Sequence, residues 1–165
     1  MTLGAPEALA EHHRIENFES GEASLDDWLK RRARANQASG ATRCFVACDG
    51  RTVIGYYALA SGAVDTASAP GRFRRNMPEP IPIAVLARLA VHRDRNGHGL
   101  GRALFQDCAA RVLSAAEIIG IRGVVVHAIS SEAKAFYLAL GLTPSPLDPM
   151  TLMVALSDIS ARLAR

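Results

Sequence analysis

A glycine-rich turn between a strand pattern and a helix pattern is the clearest chemical signal in the sequence. The turn occupies residues 96–101 (NGHGLG) and follows the apolar run at residues 83–91. Glycine lets the backbone approach a ligand closely, and the first N–H groups of a helix point outward without an intrahelical partner. The spacing predicts a phosphate or pyrophosphate site. Arg95, His98 and Arg102 are placed to add side-chain donors.

Two better-known glycine motifs fit this turn poorly. A dinucleotide-binding fingerprint has G-x-G-x-x-G after the first strand and an acidic residue about 20 positions further on. Here the glycines follow G-x-G-x-G late in the chain, and Glu117 lies within the helix pattern. A Walker loop requires G-K-[ST], which the sequence lacks. The remaining alternative is a tight strand–helix connection that binds nothing.

The elements that must position this turn follow from the apolar periodicity. Strands are predicted at residues 11–15, 43–48, 52–60, 83–91, 121–129 and 151–156, and a type I′ hairpin turn at Asp49-Gly50. One helix is predicted to begin at Ser24 with a capping box to Asp27, another to carry its apolar stripe from Leu100 to Ile119, and a third to be capped by Ser130 or Ser131. A short helix closes the chain. This order predicts an α/β fold with a mixed sheet, antiparallel in its N-terminal part and parallel at its centre, flanked by helices.

The composition is that of one globular domain. The chain has 165 residues, of which 49% are hydrophobic and 21% charged, which is enough to bury a core. We find no apolar run long enough to span a bilayer and no signal-peptide pattern at the start. We therefore expect a single domain over residues 1–165, located in the cytoplasm and without membrane contact.

The cysteines and histidines predict no metal site. Cys44 and Cys48 lie in one predicted strand, where four residues span roughly 13 Å, too far for a disulfide. Cys108 has no local partner, so all three are expected to be reduced thiols. His12 and His13 belong to the predicted edge strand and are interpreted as surface residues.

Basic residues are concentrated in three segments of a chain whose formal net charge is only +3. The clusters are Lys30, Arg31, Arg32 and Arg34; Arg72, Arg74 and Arg75; and Arg88, Arg93, Arg95 and Arg102. Lys30, Arg31 and Arg34 are predicted to face outward from their helix. The second cluster lies in a Gly- and Pro-rich excursion at residues 61–82. Such clusters suit a polyanionic partner, and a solvated surface is the alternative.

The turn resembles motif A of the GNAT acyltransferases, Q/R-x-x-G-x-G/A, with Asn96, Gly99 and Gly101 at its positions. Asn96 stands where the motif has Gln or Arg. The similarity covers almost the whole chain and is closest to the GNAT toxins of type II toxin–antitoxin modules. It is carried by LDDWL at residues 25–29, GYYALA at 55–60, RFRRNMP at 72–78, PIPI at 80–83, LAV at 89–91 and AFY at 135–137.

This resemblance implies a function and a set of site residues. The enzyme would transfer acetyl from acetyl-CoA to the α-amino group of aminoacyl-tRNA and so block translation, with Tyr137 as the general acid. Acetyl-CoA would be bound by Leu89, Ala90, Val91, Asn96, Gly97, His98, Gly99, Leu100, Gly101, Arg102 and Phe136, and the oxyanion donor would be a backbone N–H of residues 89–91. Binding to tRNA would involve Lys30, Arg34, Arg72, Arg74, Arg75 and Arg88. A homodimer, a small ribbon-helix-helix antitoxin and promoter DNA bound through the toxin–antitoxin complex are the further expected partners.

The absence of acidic residues from the predicted central strand also bears on which amine accepts the acetyl group. Residues 81–91 contain no Asp or Glu, where many GNAT enzymes that acetylate lysine carry a general base, and the only charge is Arg88. An α-amino group has a pKa near about 8, against about 10.4 for lysine, so much of it is neutral without a base. The absence therefore favours an α-amine. Small-molecule amines, protein N-termini and a non-catalytic CoA-binding role are the alternatives.

Overall fold

The computed structural model describes residues 4–163, with a mixed seven-stranded sheet and flanking helices among them. The strands are β1 (Glu7–Ala8), β2 (Arg43–Asp49), β3 (Thr52–Val64), β4 (Ile81–Val91), β5 (Gly123–His127), β6 (Thr143–Pro144) and β7 (Thr151–Ala155). The helices are α1 (Ala23–Arg31), α2 (Ala33–Ser39), α3 (Gly71–Arg74), α4 (Leu100–Ala115), α5 (Ser131–Ala139) and α6 (Leu156–Leu163).

The sheet order is β1-β2-β3-β4-β5-β7-β6. Strands β1, β2 and β3 pair antiparallel, and β4 pairs parallel with β5 over three residues, with Ala84 opposite Val124. Strand β5 then pairs antiparallel with β7. The predicted mixed sheet, antiparallel first and parallel at its centre, is confirmed.

Tertiary contacts divide the chain into two compact units. The first unit contains the residues up to Ala60 together with Ala87–Cys108, and the second contains Ser61–Leu86 together with the residues from Ala109 onward. Strands β3 and β4 and helix α4 contribute residues to both. A single domain over the whole chain stays a prediction.

The first unit has an aromatic core beneath helix α1. The sequence pattern predicts an inner stripe of Leu25, Trp28, Leu29, Ala33 and Asn36 on a single helix. The first four are buried, but Ala33 begins α2 and Asn36 is only half-buried. The Trp28 ring stacks on Tyr56 with centroids 5.9 Å apart, and the Tyr56 hydroxyl donates a hydrogen bond to the Leu25 carbonyl at 2.6 Å. The helix is thus fixed to β3 by both packing and a buried hydrogen bond.

The start of helix α1 differs from the prediction. The helix begins at Ala23 with Glu22 as its N-cap, so Ser24 lies inside it and no capping box to Asp27 forms. Asp26 instead reaches back and accepts hydrogen bonds from the backbone N–H of Ser20 at 3.0 Å and from its hydroxyl at 2.7 Å. The buried carboxylate therefore anchors the chain that precedes the helix.

The hairpin between β2 and β3 is confirmed, but its turn type is different. Asp49 pairs with Thr52, so Gly50 and Arg51 are the two central residues. Gly50 has φ +64°, and Arg51 is not among the residues with positive φ. A type I′ turn needs positive φ at both central positions, whereas type II′ needs it only at the first. The turn is therefore not type I′.

Three other element bounds were predicted wrongly. The edge strand is β1 rather than residues 11–15, where only Arg14 forms an isolated bridge to Thr52. Helix α4 ends at Ala115, and Ile119 is 57% exposed rather than part of the stripe. The excursion at residues 61–82 is partly regular, because β3 continues to Val64 and α3 lies within it.

The second unit packs α3 against the sheet through Phe73. This side chain is 3% exposed and belongs to a buried cluster with Ala69, Ile81, Ile83, Val125, Met153 and Ala155. Gly123 makes the close approach possible. A Cβ on Gly123 would lie 2.1 Å from the Val154 carbonyl oxygen and 2.7 Å from the Phe73 ring.

Replacing Gly123 by alanine should therefore destabilise the second unit strongly. We expect Gly123→Ala to lower the free energy of unfolding by about 3 kcal/mol or more, because backbone on β7 has to move. Gly120→Ala is the matched control, since a Cβ there meets nothing within 4 Å. Urea unfolding of both variants measures the difference, and equal stability of the two would contradict the packing argument.

Candidate functional site

The glycine-rich turn has the backbone geometry of an anion cradle. After β4 the chain forms a 3₁₀ turn at Arg93–Arg95, passes through Gly97 at φ +81° and Gly99 at φ +79°, and enters α4 at Leu100. The Ala103 N–H donates to the Gly99 carbonyl at 3.0 Å and closes the first helical turn. The N–H groups of Leu100, Gly101 and Arg102, in the first turn of α4, have no carbonyl four residues earlier within the helix, so they can bind a ligand.

A cavity of about 600 Å³ lies at this turn, within the size range of ligand pockets. Its lining residues, all in the first unit, are Ile54, Asp94, Arg95, His98, Gly99, Leu100 and Ala103. A Cβ on Gly97 or Gly99 would meet nothing within 4 Å, so the space in front of the backbone is open. Open space, positive φ and outward N–H groups fit an extended anion such as a pyrophosphate.

The two other glycines of this region act differently. Gly101 lies inside α4 and is not among the residues with positive φ, so it is not required for the turn conformation. Gly55 on β3 was missed by the sequence reasoning. A Cβ there would lie 3.0 Å from Leu104 and 3.2 Å from Leu100, so Gly55 allows the start of α4 to pack closely on the sheet.

Some basic side chains near the cradle form ion pairs with acidic residues of the chain, and others do not. Arg95 donates from Nη2 to Asp49 at 2.7 Å, which ties the turn to the β2–β3 hairpin, and Arg93 pairs with Glu19 at 3.3 Å. His98 and Arg102 are exposed, and the side chain of neither forms a hydrogen bond or ion pair within residues 4–163. They are the side chains best placed to contact a bound anion.

Tyr137 lies in the middle of α5, in the second unit. The helix begins as predicted, because the Ser130 side chain caps it by accepting a hydrogen bond from the Ala133 N–H at 3.1 Å. Tyr137 is 5% exposed, and its ring meets Phe136 edge-on with centroids 5.0 Å apart. The Tyr137 ring is therefore largely enclosed by packing.

Arg88 is the one charged residue of β4, and it stacks on an aromatic ring. Its guanidinium carbon lies 4.9 Å from the centroid of the Trp28 ring. Its Nε is buried and has no hydrogen-bond partner within the described chain.

Arg34 does not face outward as predicted. Its Nη2 donates to the His13 carbonyl at 2.6 Å and to the Ala10 carbonyl at 3.4 Å, so it fixes the N-terminal segment onto α2. Lys30 and Arg31 are exposed as predicted. A contact between Arg34 and tRNA stays a prediction.

The three arginines of the Gly- and Pro-rich excursion differ from one another in their contacts. Arg72 forms a two-pronged ion pair with Asp158 of α6, with Nη2–Oδ1 at 2.6 Å and Nε–Oδ2 at 3.1 Å. Arg74 and Arg75 are exposed, and their side chains form no hydrogen bond or ion pair with residues 4–163. Arg74 and Arg75 are thus the available cations of this segment.

The interpretation of His13 as a surface residue was wrong, because its side chain is 3% exposed. It lies close to Glu7 and His12, a trio with metal-like spacing. However, the His13 Nδ1 accepts from the Ala10 N–H at 2.9 Å, so Nε2 carries the proton that bonds Glu7 at 2.6 Å. A protonated Nε2 cannot ligate a metal, and Glu7 and His13 form a hydrogen-bonded pair instead.

The cysteines have no functional geometry. All three are free thiols, with Cys44 and Cys108 fully buried. Burial raises the pKa of Cys44 to about 12 and that of Cys48 to about 11.

No helix among residues 4–163 is long and apolar enough to cross a membrane.

Together, the mixed sheet and the open glycine-rich turn at the start of α4 fit an anionic ligand at a helix N-terminus. Residues 40–143 match the family model described as acetyltransferase (GNAT) domain. The chain belongs to this family.

Individual relatives carry more specific descriptions. A protein of Mycobacterium tuberculosis described as "tRNA-acetylating toxin" is 48% identical over 157 residues, which is 95% of this chain and 95% of the relative. The solved structure of AtaT complexed with acetyl-methionyl-tRNAfMet superposes with a TM-score of 0.91 at 26% identity, covering 98% of this chain and 99% of that chain.

Two further structures of the same toxin include partners. One, a mutant AtaT bound to the C-terminus of the antitoxin AtaR and to acetyl-CoA, gives a TM-score of 0.86 at 25% identity with complete coverage of both chains (100% and 100%). The other is the AtaT–AtaR complex bound to DNA, with a TM-score of 0.79 at 25% identity and 99% coverage of both chains.

Proposed function

We propose that this protein is a toxin that transfers acetyl from acetyl-CoA to the α-amino group of aminoacyl-tRNA and thereby blocks translation. The observation that carries the proposal is 48% identity over almost the whole chain to a tRNA-acetylating toxin. The open cradle at Gly97 and Gly99 and the exposed pair Arg74 and Arg75 support it independently.

The donor would be held mainly by backbone. The N–H groups at the start of α4, with His98 and Arg102 beside them, would bind the pyrophosphate of acetyl-CoA. Leu89, Ala90 and Val91 at the end of β4 would offer a backbone donor to the thioester oxygen. Asn96, Leu100, Gly101 and Phe136 complete the proposed donor site.

When bound, acetyl-CoA supplies a thioester, and the chain must provide a proton to the departing sulfur. Tyr137 is proposed as that acid, with its hydroxyl as the donor atom. A thiol has an ordinary pKa of about 8.5, so its thiolate accepts a proton readily at cellular pH. The buried, packed ring of Tyr137 keeps the hydroxyl from swinging away.

The acceptor amine requires no strong base. Strand β4 carries no carboxylate, and its one charge, Arg88, lies over Trp28 with an unpartnered Nε. A cation at this position would bind a phosphate or ester oxygen of the acceptor rather than take its proton. This favours the α-amine of aminoacyl-tRNA, which is substantially neutral, over lysine.

Binding of tRNA should depend on Arg74 and Arg75. Each phosphate contact releases counterions, so log Kd changes linearly with log salt concentration, by about 0.7–0.9 per neutralised phosphate. Arg74→Ala/Arg75→Ala should weaken tRNA binding and flatten this slope by about one to two units, with acetyl-CoA affinity unchanged. Filter binding over a salt series measures it.

The matched control is Arg14→Ala/Arg51→Ala, which removes the same charge from two exposed arginines of the first unit. It should leave the slope within error of the parent. Equal slopes for the parent and the Arg74→Ala/Arg75→Ala variant would remove the excursion from the tRNA contact.

The proposed partners follow the relatives. A small antitoxin of the ribbon-helix-helix class would neutralise the toxin, and their complex would bind promoter DNA; the AtaT–AtaR complex has been solved bound to DNA. We propose a homodimer located in the cytoplasm, where charged tRNA is found.

The function is tested by incubating the protein with labelled acetyl-CoA and total charged tRNA, then identifying the acetylated aminoacyl ends. We expect label on the α-amine of one or a few amino acids. Label on free amines or on protein N-termini, with none on tRNA, would overturn the proposal and favour the small-amine or N-terminal acetyltransferase.

A further inference from the structure

Arg122 makes contacts in the second unit that the proposed chemistry does not use. It lies directly before β5, and its guanidinium reaches α3. The Nε donates to the Phe73 carbonyl at 2.8 Å, and Nη2 donates to the Arg72 carbonyl at 2.9 Å. Carbonyls in the last turn of a helix have no partner inside it. Arg122 therefore supplies the donors that end this short helix.

The position of Arg122 is itself fixed by the backbone. Its N–H donates to the Pro82 carbonyl at 2.8 Å, and its carbonyl accepts from the Leu156 N–H at 3.0 Å. The guanidinium also lies 5.9 Å from the centroid of the buried Phe73 ring. Arg122 thus links α3 to the start of β4 and to the residue that follows β7.

A second contact fixes α3 from another side. Arg72 is occupied by its two-pronged pair with Asp158, which joins α3 to α6. The remaining arginines, Arg74 and Arg75, come directly after the residues whose carbonyls Arg122 binds. They are exposed and unpaired within the described chain. The side chain of one arginine therefore orders the backbone that carries two others.

We propose that Arg122 is a positioning residue for tRNA binding: it holds the Arg72–Phe73 backbone so that Arg74 and Arg75 are presented to phosphates in an ordered conformation. The inference rests on the proposed function, because it takes Arg74 and Arg75 as tRNA contacts. A four-residue helix is not stable alone. Without Arg122, α3 would have to become ordered when tRNA binds, and this would lower the affinity for tRNA.

The first test is Arg122→Ala, with steady-state kinetics on charged tRNA. We expect KM for tRNA to rise about tenfold while kcat and acetyl-CoA affinity stay at the parent values, since preorganisation acts on binding alone. Arg122→Lys should rescue KM only in part, because lysine keeps the charge but lacks the planar fork. An unchanged KM in folded Arg122→Ala would overturn the proposal.

A matched control tests whether removing any arginine that bonds carbonyls at the end of a helix raises KM in the same way. Arg43 likewise donates from Nη1 to the carbonyl of a helix-terminal residue, Gln37, at 2.9 Å, but in the first unit. Arg43→Ala should leave KM for tRNA unchanged. If Arg122→Ala does not fold, Arg122→Gln replaces it, because the shorter Gln side chain has one amide nitrogen and cannot bond both carbonyls as the guanidinium does; the same expectations apply to it. A parent KM in folded Arg122→Gln would then overturn the proposal.

A double-mutant cycle tests whether Arg122 acts through its neighbours. In the Arg74→Ala/Arg75→Ala background, Arg122→Ala should cause no further rise in KM, because there are no side chains left to position. Additive effects would mean that Arg122 contacts tRNA itself and would overturn the proposal. If Arg74→Ala/Arg75→Ala alone leaves KM unchanged, the proposed tRNA contact fails, whatever Arg122→Ala does.

Discussion

Tyr137→Phe should slow acetyl transfer by about 10²–10⁴-fold, the range for loss of a general acid, while acetyl-CoA affinity stays at the parent value. The substitution removes one hydroxyl and keeps the ring that packs against Phe136. The fold should therefore be retained. Single-turnover acetylation of charged tRNA measures the rate, and expression of the variant should no longer arrest growth.

Tyr56→Phe is the control for loss of a buried phenol. Its hydroxyl donates to the Leu25 carbonyl and has no proposed part in the chemistry. This variant should lose about 1 kcal/mol of stability, the usual net contribution of a hydrogen bond, and keep the parent rate per folded molecule. Near-parent turnover in Tyr137→Phe would leave protonation of the thiolate to solvent and remove Tyr137 from the mechanism.

Gly99→Val should abolish measurable acetyl-CoA binding, with an affinity loss of at least about 100-fold. Two effects combine. The left-handed φ of +79° disfavours any side chain with a Cβ, and a β-branched one would project into the open space in front of the cradle. Isothermal titration calorimetry on the folded variant measures the loss.

Gly40→Val is the control that distinguishes the effect of backbone strain from blockage of the acetyl-CoA site. Gly40 ends α2 in the same left-handed region, at φ +82°, and a Cβ there would meet only the end of the Arg43 side chain, at 4.0 Å. Both variants should lose similar stability, but only Gly99→Val should lose acetyl-CoA. Parent affinity in Gly99→Val would mean that the cradle lies elsewhere.

Local pattern was sufficient for features that depend on neighbouring residues. The stripe of α1, the Ser130 cap of α5 and the glycine-rich entry to α4 each follow from residues within about one or two turns of each other. The hairpin at Gly50 was also predictable. Its turn type was not, because a shift of the pairing by one residue exchanges Asp49 for Arg51 at the centre of the turn.

Contacts between residues distant in sequence could not be predicted from local patterns. Helical periodicity places Arg34 on a face, but not against carbonyls 21 and 24 residues earlier in the chain. Likewise, nothing near Arg72 indicates an ion pair with a residue 86 positions away. The available cations of the excursion, Arg74 and Arg75, could be separated from Arg72 only by the tertiary structure.

The state of the three thiols has a practical consequence for labelling. Cys44 and Cys108 are inaccessible, and burial raises the pKa of each to about 12, while the half-buried Cys48 is raised to about 11. Maleimides react with the thiolate, so the native chain is a slow target at neutral pH. A single cysteine introduced at an exposed position such as Gly120 can therefore carry a fluorophore without a cysteine-free background. Such a labelled protein allows tRNA and antitoxin to be titrated against one native scaffold.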